Sequence, residues 1–172
     1  MTYRSSRLAS IGVGAVLLAA AFSGCGGSDD DSGELSKEDF ITQANEICAD
    51  FNTGSDAAEQ EFNAAIQEND FETAGDLFAE NASNMEASID EFAELTPPAD
   101  DQATIDEFVD LSRQQVDIAN ELADAIREND DAAASAASEE GGSLDEQSDA
   151  IADEYGLTEC GSQGDDSQGD DA

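Results

Sequence analysis

Between residues 36 and 157 apolar positions recur at intervals of three and four, the spacing that sets side chains along one face of a helix. Phe40, Ala44, Ile47, Phe51, Ala58, Phe62 and Ala65 make a first stripe. A second runs Phe71, Ala74, Phe78, Ala82, Met85, Ile89 and Phe92, and a third runs Ile105, Phe108, Ser112, Val116, Ala119, Leu122 and Ile126. The fourth is poorer. An Ala/Ser run from Ala132 meets Gly141-Gly142, after which Ser143-Leu144-Asp145-Glu146 offers a capping box that restarts a helix to Tyr155. Ser36 with Asp39 gives an N-cap signal for the first helix, Asn69 with Glu72 one for the second, and Pro97-Pro98 stops the second. Gly54 is a candidate kink in the first helix. Gly156 stands where a left-handed C′ residue belongs, with Leu157 placed for the Schellman contact.

"AIQENDFETA" from Ala65 is echoed by "AIRENDDAAA" from Ala125, each joining two helical stretches. This predicts two αα-hairpins bridged by "LTPPAD" (Leu95–Asp100). Short connections make sequential helices antiparallel, so the expected fold is all-α, an up-down four-helix bundle with its fourth helix broken at Gly141-Gly142. Its core is small and rich in Phe and Ala. Residues 35–160 form this domain. Residues 25–34 are a flexible acidic linker with a reach of roughly 15–20 Å. Residues 161–172, with SQGDD twice, form a disordered acidic tail.

The first 24 residues are of another kind. Arg4 and Arg7 precede the uncharged run Leu8–Phe22, and the small pair Ser23-Gly24 precedes Cys25. That order describes an export signal, and the run is shorter than the ~20 residues of a spanning helix. Phe22-Ser23-Gly24-Cys25 resembles the lipobox of bacterial lipoproteins, with Phe22 where an aliphatic residue is commoner. The resemblance implies cleavage after Gly24 and a diacylglycerol-bearing Cys25, with palmitate-like chains holding the protein on the outer face of the cell membrane. Two or more chains anchor firmly where one is marginal. The alternative is an ordinary cleaved signal with a cysteine nearby.

Charge narrows the partners. The chain has 43 Asp and Glu against five Lys and Arg, a net charge of −38, and every acidic residue follows Cys25. Beyond the signal only Lys37, Arg113 and Arg127 are cationic. This excludes nucleic acid, whose recognition needs cations against phosphate. It also repels anionic headgroups, leaving a covalent anchor as the means of membrane attachment. Basic proteins or peptides are what the charge attracts. The helical stripes argue for an acidic shell around a core rather than for disorder. Such a surface resembles proteins of saline habitats, stabilised as salt shortens screening to ~3 Å at 1 M.

Candidate chemistry is sparse. Of three cysteines, assigning Cys25 to lipid leaves Cys48 and Cys160, which an up-down bundle brings together as a disulfide. A catalytic thiol is the rival, without a histidine to serve it: the chain has none. That absence also removes Ser-His-Asp catalysis, His-ligated haem and Glu-x-x-His di-iron sites. No phosphate loop or CxxC occurs, and no cofactor or metal is expected. One calcium candidate, Asp30, Ser32 and Asp39 within "SDDDSGELSKED" (Ser28–Asp39), lacks the first Asp and the bidentate Glu, and a linker followed by an N-cap explains the same residues.

From Phe40 onward the chain resembles a family of small actinobacterial lipoproteins without an assigned activity. The matching pieces are "FITQANEIC", "LTPPADDQ", "AIREND" and "YGLTECG". The resemblance implies an extracytoplasmic helical domain with one disulfide, and a more continuous fourth helix in its members. The expected function is non-enzymatic: a lipid-anchored binding or envelope-structural module. The alternative is a cation- or small-ligand-binding accessory or sensor lipoprotein with clefts between its helices. A fully apolar interior favours the first, a polar cavity inside the bundle the second.

Overall fold

In the computed structural model, which describes residues 33–162 apart from the side chains of Asp56 and Ala57, the four stripes become four helices. They are α1 (Lys37–Glu68), α2 (Phe71–Ala93), α3 (Gln102–Glu128) and α4 (Asp131–Tyr155). The echoed "END" tripeptides are where the chain reverses. Asn69 and Asn129 take φ of 58° and 52°, the left-handed conformation that asparagine tolerates better than most residues. The next amide then reaches back five residues, Asp70 to the Ala65 carbonyl and Asp130 to that of Ala125, both at 2.9 Å. Each aspartate also starts the following helix. Asp70 Oδ1 accepts from the Thr73 amide at 3.2 Å, and Asp130 Oδ1 from the Ala132 and Ala133 amides at 3.1 and 3.0 Å. The cap of α2 is therefore Asp70. Asn69, expected in that role, ends α1 instead.

The expected break in α4 does not occur: the helix runs unbroken through Gly141-Gly142, and α1 is likewise continuous through Gly54. Each glycine costs about 1 kcal/mol against alanine in a helix interior. For α4 the cost is offset by packing along α3, where a Cβ on Gly141 would sit 3.5 Å from the Ile118 Cγ2. The end of α4 follows expectation: the Leu157 amide donates to the Ala152 carbonyl at 2.8 Å, Gly156 has φ 100°, and Leu157 is fully buried.

The helices pack in chain order, α1 on α2, α2 on α3 and α3 on α4, while no Cα of α1 comes within 8 Å of one in α4. One end of the bundle is aromatic. Phe40, wholly buried, meets Phe92 and Tyr155 edge-on at 5.7 and 5.9 Å, and Phe92 meets Phe108 at 5.2 Å. The Tyr155 hydroxyl donates to Asp101 Oδ2 at 2.8 Å; Lys37 Nζ lies 3.5 Å from the same oxygen and 3.8 Å from the Tyr155 ring centroid. At the other end Ala65, Ala74, Ala82, Ala123 and Ala137 are buried and the helices draw close. There a Cβ on Gly75 would stand 2.7 Å from the Ala123 carbonyl oxygen. Order reaches back to Glu34, whose carboxylate accepts from the Ala99 amide at 2.8 Å. The signal, Cys25, Asp30 and Ser32 lie outside the described residues, as does the tail from residue 163.

Candidate functional site

The α1 and α4 backbones stay more than 8 Å apart and meet through Phe40 and Tyr155 at the aromatic end, so farther along that side another element closes the gap. The Cys48–Cys160 disulfide does so, with Cα atoms 5.1 Å apart, tying α1 to the turn that follows α4. Two asparagines support it. Asn45 Oδ1 accepts from the Glu159 amide at 3.0 Å, and Asn52 Nδ2 donates to the Glu159 carbonyl at 2.9 Å. Asn45, Cys48 and Asn52 are three and four residues apart and so share one face of α1. Together they hold residues 156–161 as a strap across the gap. The sequence reading missed the asparagines, although their spacing about Cys48 was there to be read.

Beneath the strap lies a cavity of about 160 Å³ lined by all four helices. Its lining is mixed. Ile47 and Phe51 of α1, Met85, Ile89 and Phe92 of α2, and Phe108 and Val109 of α3 supply the apolar part, with Asn52 and Ser88 among them. Ser112 and Gln115 of α3, Asp145, Ser148 and Asp149 of α4, and Glu159 of the strap supply the rest of the polar part. The spacing of Asp145, Ser148 and Asp149 puts all three on one face of α4. Gln115 Nε2 donates to Asp145 Oδ1 at 3.1 Å and to Ser148 Oγ at 3.2 Å. The buried Ser112 hydroxyl donates to the Phe108 carbonyl at 2.9 Å, and that of Ser148 to the Asp145 carbonyl at 3.0 Å. Among the described residues no buried side-chain nitrogen or oxygen lacks a partner.

The hollow has a compositional cause. Ser112 stands in the α3 stripe between Phe108 and Val116, where a leucine would fill the space that close packing normally leaves no room for. The interior is therefore neither wholly apolar nor a hydrated acidic channel. It can hold a small apolar body among Ile47, Phe51, Met85, Ile89, Phe108 and Val109, beside the polar groups of Gln115 and Ser148.

The remaining sequence candidates fall elsewhere. Asp39 works as part of the α1 cap: its amide donates to Ser36 Oγ at 3.1 Å, and the Ser36 hydroxyl donates to its carboxylate at 2.6 Å. Among the described residues no group of three or more Cys, Asp or Glu side chains is placed to hold a metal ion. Nor is any described helix long and apolar enough to cross a membrane. Burial, then the hydrogen bond from its hydroxyl to Asp101 and the charge of that carboxylate, raise Tyr155 above the usual tyrosine range. Tyr155, Asp101 and Lys37 do not line the cavity, although Phe92 and Phe108 of the same aromatic end do. No family model matches the chain, and no curated protein or solved structure matches it.

Proposed function

We propose that the protein is a lipid-anchored, extracytoplasmic binding module of the accessory or sensor type, holding a small ligand in the cleft under the Cys48–Cys160 disulfide. The cleft carries this reading: a cavity of mixed apolar and polar lining between the helices, where a purely structural bundle fills its centre. Its 160 Å³ is well below the roughly 300–1,000 Å³ of drug-sized sites. It is close to the ~150 Å³ that accommodates benzene, so one ring or a short branched chain is the fitting size. A binding role is preferred to catalysis because the Ser112 and Ser148 hydroxyls are committed to backbone carbonyls and the chain has no histidine to activate them. For export and anchoring the support is the lipobox-like Cys25 segment together with a disulfide, a bond that persists in oxidising compartments.

Two measurements test the parts separately. In ¹⁵N-resolved NMR of the full chain, toluene, benzylamine and benzoate are titrated singly. At least one is expected to move the Ile89, Val109 and Ser148 amide signals saturably, and no saturable movement with any of them removes the binding reading. Mass spectrometry of the membrane-extracted protein is expected to find Cys25 as the first residue carrying a diacylglyceryl group; an unmodified Cys25 contradicts the anchor.

A further inference from the structure

We infer that the cleft under the disulfide selects small uncharged apolar guests, a single hydrocarbon ring or a short branched chain, with Ser112 setting the room for them. This rests on the binding-module reading and adds the guest's polarity to it. The polar groups around the hollow are already committed. Gln115 Nε2 is shared between Asp145 Oδ1 at 3.1 Å and Ser148 Oγ at 3.2 Å, and the Ser112 and Ser148 hydroxyls donate to backbone carbonyls at 2.9 and 3.0 Å. Asp149 likewise has a partner, and among the described residues no buried side-chain nitrogen or oxygen lacks one. A charged guest of either sign would shed water and find these partners taken, and a charge buried without partners is strongly disfavoured. The apolar groups are in the opposite condition. Ile47, Phe51 and Met85 line the cavity yet stay only half-buried, beside the buried Ile89 and Val109. A hydrocarbon guest gains by covering them and asks nothing of the polar side. The room exists because Ser112, 4% exposed and within the apolar stripe of α3, carries a short side chain where a leucine would fill the space.

The test titrates toluene, benzylamine and benzoate, neutral, cationic and anionic probes of similar size, into the full chain. Molar sodium chloride shortens screening to ~3 Å and so suppresses diffuse attraction to the acidic shell. Toluene is expected to move the Ile89, Val109 and Ser148 amides saturably, with an affinity about tenfold above either charged probe. Ser112→Leu is expected to weaken toluene about tenfold or more by filling the hollow, with unchanged circular dichroism and no fall in melting temperature. Ser112→Ala adds no bulk and is expected to bind toluene within about threefold of wild type, which separates filling from loss of the hydroxyl. A charged probe that moves the same amides as tightly as toluene overturns the neutral selectivity and leaves the binding module standing. Undiminished toluene binding by folded Ser112→Leu overturns the role of Ser112, and so does a Ser112→Leu chain that does not fold, because a leucine with room to occupy does not unfold the bundle. No saturable movement with any of the three probes removes both readings together.

Discussion

Tyr155 joins three distant parts of the chain at the aromatic end, and its hydroxyl explains a choice made by Asp101. Asp101 stands at the N-cap of α3 but makes no side-chain cap bond, its carboxylate being engaged by Tyr155 and Lys37. Tyr155→Phe is expected to cost about 1–2 kcal/mol in urea unfolding at pH 8, the range for a hydrogen bond to a partly buried charged acceptor. The pH dependence has a definite sign. The folded-state pKa of Tyr155 is raised, so its stabilisation is complete below the unfolded value of about 10 and is lost as pH climbs through the higher folded value. Wild type should therefore lose stability above about pH 10, and Tyr155→Phe should lose less. Lys37→Gln separates the contribution of the lysine's ion pair with Asp101 from that of the tyrosine hydroxyl. Glycines give a second residue-scale contrast. Gly75→Ala forces a Cβ against the Ala123 carbonyl and is expected to cost about 1–3 kcal/mol, whereas Gly142→Ala, with nothing within 4 Å, should gain about 0.5–1 kcal/mol by thermal unfolding.

At the scale of elements, the strap is the part whose removal has the clearest consequence. The disulfide closes a sequence separation of 112 residues and ties α1 to the turn after α4, two helices whose Cα atoms stay more than 8 Å apart. Cys48→Ser with Cys160→Ser is expected to cost about 3–5 kcal/mol in denaturant unfolding, following the loop-entropy scale. An unchanged midpoint would mean that Asn45 and Asn52 hold the strap unaided. The helices themselves were legible because Phe40, Phe71 and Ile105 each begin a long three-four stripe. The hairpin turns were legible as an echo, but the division of labour inside them was not. A cap reading credits Asn69 with starting α2, whereas left-handed geometry is a demand of the preceding helix and Asn69 meets it. Gly141-Gly142 misled for a related reason. Local propensity weighs two glycines against a helix, while α3 beside them supplies packing that no window of sequence contains. The cleft was the least legible feature, since it depends on Ser112, Ile89 and Asp145 meeting across helices.

For the whole molecule, charge is the governing property. The described residues hold ion pairs for Lys37, Arg113 and Arg127, against a far larger number of carboxylates, so self-repulsion in the folded state is largely uncompensated. The melting temperature is therefore expected to rise from dilute buffer to molar sodium chloride, where screening falls to about 3 Å. A flat or falling profile would refute the claim that repulsion limits stability. The same charge keeps the domain off an anionic surface, so the proposed lipidation of Cys25 would be its means of attachment. The most direct test of the binding role is to locate the guest of the cleft. Intermolecular NOEs from the ring protons of whichever of toluene, benzylamine and benzoate binds the isotope-labelled full chain are predicted at the methyl groups of Ile47, Ile89 and Val109. Binding accompanied by NOEs to exposed side chains and to none of those methyls would contradict the account.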